Sequence, residues 1–120
     1  MIVLYLTRDL FFSSRVVSLA RAAQIDVIVC SQIGLVEPRI GESGVGAVLL
    51  DLEHPEADPE QIMKRVQGLN PRPRIVAYGP HVKEDLLQAA QGVGCDAVMS
   101  RGQFDKQILP YLQALLASNP

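Results

Sequence analysis

Five short apolar runs, Ile2–Leu6, Val27–Cys30, Val45–Leu50, Ile75–Ala77 and Ala97–Met99, limit what this chain can fold into. A strand with one wet face alternates apolar and polar residues, whereas a strand covered on both faces reads as an unbroken apolar run. These runs are continuous, so they predict parallel strands with helices packed on both sides. The segments between them have helical spacing. Phe12, Val16, Leu19, Ala20 and Ala23 recur along the first. Asp58-Pro59-Glu60-Gln61 opens the third with a capping residue and Pro at the first helical position. Ile62, Met63, Val66 and Leu69 form its apolar stripe, and Asn70-Pro71 is its expected stop.

The fourth helix is expected at 83–91, burying Leu86, Leu87 and Ala90 before Gly92 and Gly94. The last is expected at 104–117 with Leu109, Leu112, Leu115 and Leu116 inward. Pro110 lacks a backbone N–H, which predicts a late start or a bend there. Ile33 to Glu42 carries Gly34, Pro38 and Gly41 and reads as a single turn plus loop. Strand and helix alternate without a repeat, linker or low-complexity tract. The result is one α/β domain over residues 1–120 with a mainly parallel sheet.

Bulk properties narrow the function. At 120 residues and 48% apolar, the chain can bury a core. A net charge of -2 with both signs interspersed argues against a grip on nucleic acid, which needs clustered cations. Arg72-Pro73-Arg74 and Arg101 are too sparse for a phosphate track. No apolar run nears the roughly 20 residues that span a bilayer, so no membrane partner is expected. The start MIVLYLTRD lacks the basic lead of a secretory signal. A cytoplasmic location is the expectation. Cys30 and Cys95 have no CxxC or CxxH neighbour and read as small buried hydrophobes.

In an open parallel sheet, sites lie beyond the carboxyl ends of the strands. Thr7-Arg8-Asp9, Asp51, Tyr78-Gly79 and Ser100-Arg101 all fall there and should converge on one rim. Asp51 is the pointed case, because a carboxylate beside a dry core must be paired or hydrogen-bonded. Asp9 precedes the first helix and reads as its N-cap. His54 and His81 lie in polar loops and read as solvated. Phe11-Phe12 reads as core, with one ring free to cover a pocket or face a partner. DLEHPEAD does not match the DxHxxG pattern of cobalamin-binding domains. TRDLFFSS has no glycine to admit a phosphate closely, so a small-molecule binder of flavodoxin type ranks last.

Asp51 ending the third strand, with Pro55 four residues on, resembles the phospho-acceptor region of response-regulator receiver domains. EDLLQAAQGVGCDAVMSR, residues 84–101, is similar to that family's fourth helix and fifth strand. The resemblance spans the chain and implies a flavodoxin-like (βα)5 fold with strand order 2-1-3-4-5. By the same resemblance, Asp51 is the phospho-acceptor position. The departures lie in the site itself. Two acidic residues that end the first strand and hold magnesium are matched by Thr7 and Arg8. The Thr or Ser that ends the fourth strand is matched by Tyr78 or Gly79. The Lys-Pro after the fifth is matched by Arg101-Gly102.

Magnesium takes hard oxygen ligands in near-octahedral geometry. A cation at one ligand position repels it by roughly 4 kcal/mol at about 4 Å and an effective dielectric near 20. Arg8 and Arg101 are therefore expected to pair with Asp51 and to lock the site, with Asp9 and Asp51 as weak metal candidates only. The implied protein is an atypical stand-alone receiver-like signalling or scaffold module, not an enzyme. It needs no cofactor, and magnesium matters only if the site is active. Its partner is another protein or a second copy, met through Leu87, Gln91, Met99 and Tyr111 on the fourth-helix, fifth-strand, fifth-helix face. The alternative is a working phospho-acceptor using Asp51.

Overall fold

The computed structural model describes residues 1–118, with the side chains of Leu116 and Ser118 outside the described residues. Strands β1 (Ile2–Leu6), β2 (Asp26–Cys30), β3 (Val45–Asp51), β4 (Arg74–Gly79) and β5 (Ala97–Ser100) alternate with helices α1 (Leu10–Ala22), α2 (Ile33–Val36), α3 (Pro59–Val66), α4 (Glu84–Val93) and α5 (Arg101–Ser118). The strands form one parallel sheet in the order β2-β1-β3-β4-β5. This is the expected doubly wound arrangement.

The unbroken apolar runs are explained by burial on both faces. Val3 to Leu6 and Ala47 to Leu50 are fully inaccessible. One core layer joins Tyr5, Leu49 and Tyr78 to Phe12, Val16 and Ala20 of α1 and Phe104, Ile108 and Leu112 of α5. The other joins Leu4, Leu50 and Ala77 to Val36, Ile62, Val66 and Ala90 below α2, α3 and α4.

Several boundaries differ from expectation for local reasons. α2 is one turn followed by a 3-10 turn over Glu37–Arg39, as its Gly and Pro content predicted. α3 stops at Val66, not at Asn70-Pro71, because Gln67 is extended and Gly68 has φ +84°. Leu69 still packs on the core from the loop. Leu86 is exposed, so Leu87 and Ala90 alone carry the inner face of α4 among the three residues expected there. Gly94, at φ 99°, closes that helix in the left-handed conformation glycine adopts most easily.

α5 begins at Arg101, three residues earlier than its apolar pattern suggests, and runs through Pro110. Ser100 and Gln103 set this start. The Gln103 amide N–H donates to Ser100 Oγ at 3.2 Å, and the Ser100 amide donates to Gln103 Oε1 at 2.9 Å. This reciprocal capping box satisfies two N–H groups that the helix cannot satisfy itself.

Candidate functional site

The carboxyl ends of β1, β3, β4 and β5 bring Thr7, Asp51, Tyr78 and Arg101 to one rim. Asp51 lies opposite Tyr78 in the ladder and is 8% exposed. Both of its carboxylate oxygens are engaged. Thr7 Oγ1 donates to Oδ2 at 2.7 Å, and the Glu53 amide donates to Oδ1 at 3.0 Å. Thr7, itself buried, accepts from the Asp9 amide at 3.1 Å. One hydroxyl thus ties the end of β1 to the end of β3 and to the entry of α1.

Arg8 does not pair with Asp51, contrary to expectation. Successive side chains at a strand end point to opposite sides, so with Thr7 turned toward Asp51 the next residue faces water. Arg8 is exposed, and among the described residues it makes no ion pair or hydrogen bond.

Arg101 does not pair with Asp51 either. Its guanidinium is ion-paired with Asp9, lies 3.9 Å from Glu53, and stands 4.8 Å above the centroid of the Phe12 ring. Burial works against its charge, but Asp9 outweighs that and makes Arg101 more strongly basic than usual. Asp9 caps α1 as expected, accepting from the Phe12 amide at 2.8 Å. That hydrogen bond, joined by Arg101, holds the Asp9 carboxyl below the ordinary aspartate range although partial burial opposes it.

Tyr78 is buried, and its hydroxyl meets that of Tyr5 on β1, two strands away. Burial first pushes both phenols far above the usual tyrosine range. For Tyr5 the contact with Tyr78 and the nearby Asp51 charge add to this, whereas for Tyr78 the Tyr5 hydrogen bond opposes it and Asp51 supports it. The Tyr78 ring stacks on Phe104 at 4.1 Å and approaches Phe12 at 5.9 Å. Tyr5, Phe12, Tyr78 and Phe104 therefore form an aromatic floor under the rim. Tyr5 carries no signal in the sequence beyond one polar atom inside an apolar strand. Gly79, next to Tyr78 on β4, is buried, and a Cβ added there would lie 3.4 Å from Leu52 Cβ.

His54, expected in solvent, is buried instead. It is 5% exposed, with Nε2 2.7 Å from the Ser31 carbonyl and Nδ1 accepting from the Glu56 amide at 3.0 Å. A single neutral tautomer, with the hydrogen on Nε2, satisfies both bonds. Glu56 in turn accepts from the Ile33 amide at 3.0 Å. The loops after β2 and β3 are thereby fastened together beside Asp51. His81 is exposed, as expected.

The expected partner face is altered. Met99 is 7% exposed and belongs to the core, so it cannot meet a partner. Leu87 and Tyr111 are half-buried on opposite faces of the sheet, and Gln91 is exposed.

A signal receiver domain of a response regulator from Bermanella marisrubri superposes with a TM-score of 0.79 at 14% identity, over 96% of this chain and 97% of that one. A response regulator from Chloroflexus aurantiacus gives 0.78 at 16%, over 97% of each. The receiver domain of a sensor histidine kinase from Pseudomonas aeruginosa, solved with magnesium in its active-site cleft, gives 0.77 at 13%, over 97% of each. The fold is that of a receiver domain. No family model matches the sequence, and neither does any curated protein.

Within the receiver fold, the donor set of this rim is a poor match for magnesium. Thr7 and Arg8 supply no carboxylate. Both oxygens of Asp51 already accept hydrogen bonds, and Asp9 is divided between the α1 cap and Arg101. Among the described residues no group of three or more His, Cys, Asp or Glu side chains is placed to hold a metal ion. No helix among them is long and apolar enough to cross a membrane.

Proposed function

We propose that the chain is an atypical receiver-like signalling or scaffold module that acts through protein contacts, without magnesium-dependent phosphorylation of Asp51. The observation that carries this reading is the engagement of both Asp51 oxygens by Thr7 and the Glu53 amide. A phosphoryl group arriving at Asp51 would have to share an oxygen that already accepts one of these bonds. It would also lack the ion that neutralises charge on the migrating group. Arg101 cannot substitute while it is bound to Asp9. The module turns over no substrate, works in the cytoplasm, and has neither nucleic acid nor membrane as its partner.

A working phospho-acceptor is the second reading. It is favoured by the position of Asp51, at the end of β3 in a fold shared with a receiver that does hold magnesium. Incubation with magnesium and a small phosphoryl donor, followed by intact mass, separates the two. The proposal predicts an unchanged mass. A gain of one phosphoryl group that disappears in Asp51→Asn would establish the second reading instead.

A further inference from the structure

We propose that the carboxyl-end rim is a self-association surface, through which two copies of this chain meet rim to rim. Five of the six large apolar side chains exposed among the described residues lie near the starts of helices that leave this rim: Leu10, Phe11, Leu35, Val82 and Leu86. Apolar residues scattered singly over a surface need no explanation, but a cluster on one end marks a contact. Phe11 at 89% and Leu10 and Val82 at 74% are the most exposed of them.

Charge identifies the occupant. The rim has a basic apolar end and an acidic apolar end. Arg8 stands beside Leu10 and Phe11 and has no ion pair among the described residues. Glu84 and Asp85 stand between Val82 and Leu86 in the first turn of α4, where the helix dipole favours them but no cation among the described residues answers them. Lys83 is already turned toward Glu53, at 3.9 Å.

α1 and α4 pack on opposite faces of the sheet, so the two ends flank the rim on either side. A twofold axis lying in the rim plane, across the line joining the ends, brings each end onto the opposite end of the other copy. Arg8 then meets Glu84 and Asp85, and Phe11 meets Val82 and Leu86, twice over. Such a patch is complementary to itself, as an isologous contact requires. The half-buried residues of the α4, β5 and α5 face offer no comparable exposed apolar set.

This inference rests on reading the chain as a module that acts through protein contacts, and names that partner as a second copy. Sedimentation over a range of concentrations tests it on the intact chain, with circular dichroism confirming that each surface variant folds. The wild type is expected in a monomer–dimer equilibrium. Phe11→Ser and Arg8→Glu should each weaken it at least about tenfold, the change expected for a central aromatic or a reversed charge. Combining Arg8→Glu with Glu84→Lys and Asp85→Lys should restore much of the loss. A wild type that is monomeric throughout, a dimer indifferent to these changes, or a loss the charge swap does not restore would overturn the proposal. A monomer that also fails to accept a phosphoryl group leaves the proposed function standing; a dimer that accepts one does the reverse.

Discussion

Thr7 is buried and serves both Asp51 and the Asp9 amide, so deleting its hydroxyl without changing its shape leaves a buried carboxylate oxygen unsatisfied. Thr7→Val should lower unfolding free energy by about 1–3 kcal/mol, read from denaturant titration. A neutral result would mean that this hydrogen bond contributes nothing. Asp9 and Asp96 give a pH signature. Burial opposes ionisation of Asp96, but Arg72 at 2.7 Å and the Ile75 amide at 2.7 Å win and lower its pKa. Asp9 is lowered by the Phe12 amide and Arg101. Both carboxyls lose protons more readily folded than unfolded. The stability they contribute is complete above the ordinary aspartate range and is lost as pH falls through their lowered folded values. Unfolding midpoints from about pH 7 to about pH 2 should drop on this acid side, with a shallower drop in Asp9→Asn. Identical profiles would contradict the assignment. The Asp9 cap was legible because capping is local. The orientation of Arg8 and the partner of Arg101 were not, since both depend on which way a strand end turns and on a helix 92 residues distant.

At the scale of elements, caps and aromatic packing fix where helices begin. Asp58 accepts from the Glu60 and Gln61 amides at 3.1 and 3.3 Å ahead of Pro59. Asp58→Ala should destabilise by about 1 kcal/mol, measured by denaturant midpoint at constant slope. Phe104 is fully buried against Tyr5, Phe12 and Tyr78. Phe104→Ala should therefore cost about 3–5 kcal/mol, and a loss under 1 kcal/mol, roughly the size of a conservative core swap, would argue against the aromatic floor. Apolar spacing revealed α1 and α3 because their inner stripes are regular. It placed the start of α5 too late, because Ser100 and Gln103 are polar and their reciprocal bond leaves no apolar trace. It also put Leu86 inside, since a helix turned slightly about its axis exchanges one flank of its stripe for the other.

Over the whole molecule, strand order separates the cysteines. Cys30 ends β2 and Cys95 leads into β5, the opposite edges of the sheet, and both are free thiols. Four strand spacings of about 4.8 Å put them roughly 19 Å apart, far beyond the about 7 Å a disulfide permits. Mild oxidation followed by thiol labelling should find no intramolecular bond, and finding one would refute the sheet order. That the sheet is parallel was readable because unbroken apolar runs alternate with helices; its strand order rested on the resemblance to receiver domains. What the rim does was not readable, because it turns on single side chains that share no local pattern.

The most direct test follows the backbone amide signals of Asp9 and Glu53 while magnesium is titrated into the wild type. With Thr7 and Glu53 holding Asp51, and Arg101 holding Asp9, neither signal should move in a saturable way. Saturable movement at millimolar magnesium that is abolished in Asp51→Asn would show that the cleft does take the ion.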